Sequence, residues 1–168
     1  MFEWALVTLI TLILLGLFLT RIQDLLADAE RVSLAQWEAR MRNALNHEMS
    51  RQVVARRFDQ IAMLDGINPI GLLPEPPGNY LGEANDPLLE ELPSGVWVFD
   101  SFRQVLIYTV AHSAHYHSSL SGVPRSEYRV RLEYRDNNGN GRFDFKPDTL
   151  EALKLDHLGE YRWLPEQG

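Results

Sequence analysis

A chain of 168 residues with 45% apolar and 23% charged side chains has the makeup of one ordinary globular domain, which excludes both wholesale disorder and a polytopic membrane protein. The absence of cysteine excludes a disulfide scaffold, a thiolate zinc site, a cysteine nucleophile and an iron–sulfur cluster. The net charge of −7 sits in residues 61–168, where sixteen acidic groups face nine basic ones; so acidic a surface repels phosphate backbones, and no nucleic-acid partner is expected.

From Trp4 to Thr20 the run WALVTLITLILLGLFLT carries no charge, and residues 1–20 are read as a single transmembrane anchor, at the short end of what crosses ~30 Å of hydrocarbon. No basic region precedes the run and no A-x-A-like site follows it in TRIQDLLADAE, so retention is expected over cleavage as a signal peptide. Arg21, Arg31 and Arg40 lie on the far side, which by the positive-inside rule places the rest of the chain in the cytoplasm. Asp24, Asp28 and Glu30 interleave them and leave the orientation open.

The spacing predicts that residues 21–65 continue the anchor as one amphipathic helix. Ile22, Leu25, Leu26, Ala29, Val32, Trp37, Met41, Ala44, Leu45, Met49, Val53, Phe58, Ile61 and Leu64 recur at helical steps, with neither Pro nor Gly to interrupt them. Anchor and stripe together make a rod of roughly 90 Å at ~1.5 Å per residue. Glu38 and Arg42 form a favourable i,i+4 pair on a solvated face. Arg51, Arg56 and Arg57 read as a solvated face or a partner contact, being diluted by Glu48 and Asp59 and distant from the apolar run.

Residues 66–95, rich in Pro and Gly, read as an irregular linker with enough apolar mass (Ile67, Ile70, Leu72, Leu73, Tyr80, Leu81) to lie against the helix. Residues 96–168 read as an antiparallel sheet region. VWVF before Asp100 and VLIYTV after Gln104 form a hairpin, Tyr128–Arg135 alternates as a half-buried strand, and a fourth strand falls around 150–155 or 161–164. The expected fold class is therefore α+β, a long N-terminal helix, transmembrane in its first third, on a small antiparallel sheet.

The loop DNNGNGRFD is the most specific local signal. Asp136, Asn138, Asn140 and Asp144 fall at positions 1, 3, 5 and 9 of an EF-hand-type rhythm, Gly141 stands at the sharp turn, and Arg142 offers a carbonyl at position 7. Position 12 is Pro147, with Asp148 as the nearest replacement ligand, so any Ca²⁺ site would be a weak one suited to millimolar calcium. The same residues also suit a plain hairpin loop in which Asn-Gly supplies positive φ. His112, His115 and His117 follow the second strand, with His115 and His117 on one face of an extended chain, but no carboxylate stands at ligand spacing and a solvated loop is the simpler reading. There is no G-x-S-x-G, P-loop, H-E-x-x-H or G-x-G-x-x-G, and enzymatic activity has no positive support.

An anchor continuing into a long helix, the linker motif NPIGLLPEPPGNYLGE (Asn68, Pro69, Leu72, Leu73, Pro76, Pro77, Asn79, Tyr80, Gly82, Glu83), the strand pair VWVFDSFRQVLIYTV and the segment VRLEYRDNNGNGRFD together resemble the MshF family of mannose-sensitive haemagglutinin (MSHA) type IV pilus biogenesis proteins. More broadly, the architecture is similar to that of pilins and pseudopilins. The resemblance implies a single-pass protein of the bacterial inner membrane with its domain in the periplasm. It also implies contacts with other pilus or pseudopilus subunits and assembly-platform proteins, and no catalysis. Unlike a prepilin, the chain runs from Met1-Phe2-Glu3 straight into the apolar stretch without a basic leader ending in Gly, so processing by prepilin peptidase is not expected. Two other roles remain open from the residues: a minor pseudopilin of a type II secretion system, and a membrane-tethered periplasmic sensor or hydrolase using the acidic loop as its metal site.

Overall fold

The structure, a computed structural model, describes residues 2–164. Its frame is α1, Phe2–Val54, an unbroken helix of 53 residues spanning about 80 Å at ~1.5 Å per residue. None of its described side chains before residue 22 is buried, and the helix is long and apolar enough there to cross a membrane. Within that stretch the hydroxyls of Thr8 and Thr11 donate to the carbonyls of Trp4 and Val7, so neither polar group would be left unpaired in hydrocarbon.

The rod ends ten residues before the point that the stripe suggests. The N–H of Arg57 donates to the carbonyl of Gln52 and that of Arg56 to Val53, the paired bonds of a Schellman cap, with Arg56 at φ 55 in the place glycine usually takes. A short helix α2, Phe58–Ala62, follows. No Gly or Pro announces this break, which is why periodicity runs through it.

Five strands form the main sheet in the order β1-β2-β3-β5-β6: β1 Tyr80–Ala84, β2 Trp97–Asp100, β3 Val105–Thr109, β5 Arg125–Arg135 and β6 Thr149–Leu158. β2-β3-β5-β6 is antiparallel, as expected, but β1 pairs parallel to β2, so the sheet is mixed. The linker thus contains a strand. Its burial alternates, but Gly82, at φ 101 where the register shifts, and Ala84 occupy half-buried positions and give little apolar signal, and residues 85–96 supply the dozen residues that a parallel crossover needs. Both alternatives for the fourth strand are occupied, since β7, Tyr161–Trp163, pairs with β4, Tyr116–Ser118, in a second small sheet.

The core lies between α1 and the inner face of the sheet, where Leu34, Met41 and Leu45 meet Trp97, Leu106, Tyr128, Val130 and Leu155. On the outer face the 85–95 crossover lays Leu89 and Leu92 over Val98, Val105 and Ile107. The linker motif acts as a tie: the Asn68 amide donates to Tyr80 Oη at 2.7 Å and to Glu83 at 2.8 Å, while Asn79 donates to the Gly95 carbonyl at 2.6 Å. These bonds fix β1 beside the helix end.

Candidate functional site: the helix–sheet seam and the acidic loop

The face that α1 turns to the sheet is Ala27, Glu30, Leu34, Glu38, Met41, Leu45, Glu48 and Gln52, all buried and spaced by three or four. The apolar stripe read from sequence is only partly this face; Leu25, Leu26 and Val32 are 67%, 48% and 55% exposed on other sides. Three members of the true seam are glutamates, and a buried carboxylate is costly unless donors surround it.

Glu30 meets that requirement toward the apolar N-terminal part of α1. It accepts from Tyr108 Oη at 2.8 Å, from the N–H groups of Ala111 and His112 at 2.7 and 2.9 Å, and lies 2.7 Å from His112 Nδ1. Nearly two turns toward the N-terminus, His115 Nε2 stands 3.6 Å from Asp24. Glu38 accepts from Tyr128 Oη at 2.7 Å, Tyr161 Oη at 3.2 Å and Arg42 at 3.1 Å. Burial first, and the Glu38 carboxylate second, push the Tyr161 hydroxyl up to about 12 and the Tyr128 hydroxyl higher still, so both remain donors. Glu48 is held below the usual carboxylate range by its bond to Arg51 and completes the seam with Gln52. The sheet is therefore bolted to the stalk by carboxylates on the helix and tyrosines on the strands.

On the opposite face Glu127, 1% exposed, takes a bidentate pair from Arg103 and a third bond from Arg125 Nε at 2.7 Å. Burial works to raise its carboxyl, but the two guanidinium groups outweigh it and hold the group below its ordinary value. A groove of about 560 Å³ opens between α1 and Leu72–Glu75, floored by Trp37 and Ala44, with Arg40 lying 4.6 Å over the Trp37 ring.

The candidate ligands of the acidic loop are gathered in one hairpin turn between β5 and β6. Asp136 accepts from the N–H groups of Asn138, Gly139 and Gly141, and these backbone bonds, that of Gly141 first, hold its carboxyl below the usual range. Asn138 and Asn140 accept from the N–H groups of Asn140 and Arg142, and both turn their amide nitrogens onto Asp144 Oδ2, at 3.0 and 2.6 Å. Asp148 closes the turn by accepting from the N–H groups of Asn137 and Asp144. The amide donors stand where a cation would stand against Asp144. Among the described residues no three His, Cys, Asp or Glu side chains are grouped at metal-binding distance.

The histidines diverge. A 3-10 turn at Ser113–His115 takes His115 off the strand toward Asp24, His112 joins Glu30, and His117 is exposed on β4, so His115 and His117 do not share a face.

Sequence reasoning missed the seam glutamates because acids are ordinarily assigned to solvent. The signal that finds them is the unbroken three-four spacing from Ala27 to Gln52, once Glu30, Glu38 and Glu48 are admitted to it. Comparison with protein-family models, with curated proteins and with solved structures finds no match to the chain.

Proposed function

We propose that the protein is a membrane-anchored assembly factor that holds its sheet domain on a rigid helical stalk and acts through protein–protein contacts. The observation that carries this reading is the continuity of α1: the residues that enter hydrocarbon and the residues that the sheet grips belong to one helix, with no joint between them. A domain so mounted transmits position and height, which suits a part of a larger assembly at the membrane.

The resemblance drawn from the linker and strand motifs assigns that assembly to the MSHA-type type IV pilus, with the anchor in the bacterial inner membrane and the domain in the periplasm. Other pilus subunits and assembly-platform proteins are then the partners. In this reading the β5–β6 turn holds Ca²⁺ through Asp136, Asn138, Asn140, Asp144, the Arg142 carbonyl and, at the closing position, Asp148. For the ion to bind, Asn138 and Asn140 exchange amide nitrogen for oxygen toward Asp144, and the ion then ties β5 to β6. Calcium acts here as a clamp and not as a reagent.

Deletion of the gene followed by counting and compositional analysis of surface pili tests the reading. Loss or altered composition of pili is expected. Unchanged pili overturn it, and unchanged pili with lost exoprotein secretion favour a type II pseudopilin instead.

A further inference from the structure

The face of α1 turned away from the sheet is marked by what it lacks. From Leu25, alternating steps of four and three pass through Ala29, Val32, Gln36, Ala39 and Asn43 and run on to Val53, every position exposed. Val32 and Gln36 lie two residues either side of buried Leu34, about 160° round the helix from it. All eleven titratable side chains between residues 21 and 54 fall outside this repeat, and of the seven ways to lay such a heptad repeat on those residues it alone meets none of them.

A solvated helix face ordinarily collects charge. Here the face buried under the sheet holds Glu30, Glu38 and Glu48, while the open one holds no charge at all. Continued toward the N-terminus, the same steps pass through Ile22, Phe18 and Leu15 to Trp4, so one uncharged strip runs without a break from the apolar segment into the rest of the helix. Alternation of four and three is the 3.5-residue period of a helix paired along its length with another helix.

We infer that a second copy of the chain covers this strip, the two α1 helices lying parallel about a two-fold axis with each position facing its own counterpart. The inference rests on the membrane-anchored reading for its parallel sense, because two copies held in one bilayer by the same N-terminal helix run the same way. The strip is self-complementary, as a two-fold contact requires. Gln36, Asn43 and Asn46 each carry an amide that both donates and accepts, so each can bond to its own counterpart, and an amide at a core position of a coil fixes register. Ala29 and Ala39 let the two backbones approach. The flanking charges accommodate the pair: in the parallel register Asp28 meets Ser33 of the second copy and Ala35 meets Arg40, while Arg42, opposite His47, is tied to Glu38 of its own helix at 3.1 Å. From Trp4 to Val53 the strip is about 74 Å long and ~10 Å wide, roughly 700 Å² on each copy, close to the ~800 Å² per partner of a standard interface.

The test uses the full chain at native expression, with Val32→Cys and Ala39→Cys on the strip and Gln23→Cys and Arg31→Cys exposed but off it, in a chain that has no other cysteine. Isolated membranes are treated with a mild thiol oxidant. Counterparts on the two-fold axis come within disulfide reach, Cα atoms ~4.4–6.8 Å apart, so a covalent dimer, identified by its mass, is expected at residues 32 and 39 in at least tenfold higher yield than at 23 and 31. Val32→Glu sets two carboxylates face to face in the pair but changes only an exposed position of each copy. It should cut the dimer formed by Ala39→Cys at least tenfold while near-ultraviolet circular dichroism of the purified chain is unchanged, which separates pairing from folding. Equal yields at all four positions, adducts to another protein instead of a second copy, no adduct, or a dimer indifferent to Val32→Glu overturns the inference. Carbonate extraction of the same membranes reports on the anchor by itself, so a chain released by carbonate refutes the anchor while the dimer yields still judge the pairing.

Discussion

Glu38→Ala removes the acceptor of Tyr128, whose ring is 1% exposed and whose hydroxyl donates to that carboxylate at 2.7 Å. A buried hydroxyl left without a partner costs about 1–3 kcal/mol. The longer bond from half-buried Tyr161, at 3.2 Å, adds less, and loss of the glutamate stem adds about 1 kcal/mol. Relief of carboxylate burial offsets part of this, leaving about 2–3 kcal/mol net. For a soluble region of this size, each kcal/mol moves the midpoint by about 3 °C, so Tm should fall by about 6–9 °C. The assay is thermal unfolding of the full chain in detergent followed by near-ultraviolet circular dichroism, to which Trp97 and Tyr128, 5.8 Å apart, contribute directly. Glu38→Leu combined with Tyr128→Phe removes both polar partners and should recover at least about 1 kcal/mol relative to the sum of the single changes. A shift below 2 °C for Glu38→Ala, or strict additivity in the cycle, would refute the claim that a charged bond closes the seam.

Glu30→Ala strips four donors of their acceptor at the N-terminal end of the seam, so hydrogen exchange at Ala111 and His112 should accelerate at least tenfold while exchange in β5 stays slow; uniform acceleration would contradict a local clasp. The depressed carboxyl of Glu127 contributes stability that is complete above the unfolded value near pH 4.3 and is lost as pH falls through the folded one. The acid limb of Tm against pH below about 4 should therefore flatten in Glu127→Gln. His157 is shifted the other way, burial lowering its imidazole, so the unfolded chain takes the proton first and stability declines as pH drops below about 6.5. His157→Phe should remove that slope, and an unchanged slope would place its origin elsewhere. Millimolar Ca²⁺ should raise Tm over EDTA in the parent chain and not in Asp136→Ala, whereas equal Tm values leave the turn closed by its own amides alone.

The long helix and the alternating part of β5 were legible because periodicity reports burial on one face, and the hairpin of β2 and β3, buried on both faces, because two short apolar runs flank a turn. Three features were not. The cap at Arg56 uses a left-handed residue that composition does not flag. β1 is a short edge strand broken by Gly82, and its parallel pairing depends on a crossover that sequence reads as loop. The seam itself was hidden by chemistry: Glu30 and Glu38 are buried only because Tyr108, Tyr128 and Tyr161, residues 78 to 123 positions away in the chain, bring donors to them. The loop residues Asp136 to Asp148 lie within one turn, but the direction of each amide and carboxylate follows from backbone geometry that spacing does not encode.

Because the chain has no cysteine, each introduced one is unique, and labelling of single-cysteine variants by a membrane-impermeant maleimide in intact cells tests the stalk most directly. Leu12 and Val54 are exposed on the same helix, 61% and 85%, and Met41 is buried at 1%. The account predicts that Val54→Cys is labelled from outside the inner membrane, that Leu12→Cys is protected by lipid until detergent is added, and that Met41→Cys is protected by the sheet until the domain unfolds. Labelling of Leu12→Cys in intact cells, or protection of Val54→Cys until the inner membrane is broken, would contradict a membrane-spanning stalk with its domain in the periplasm.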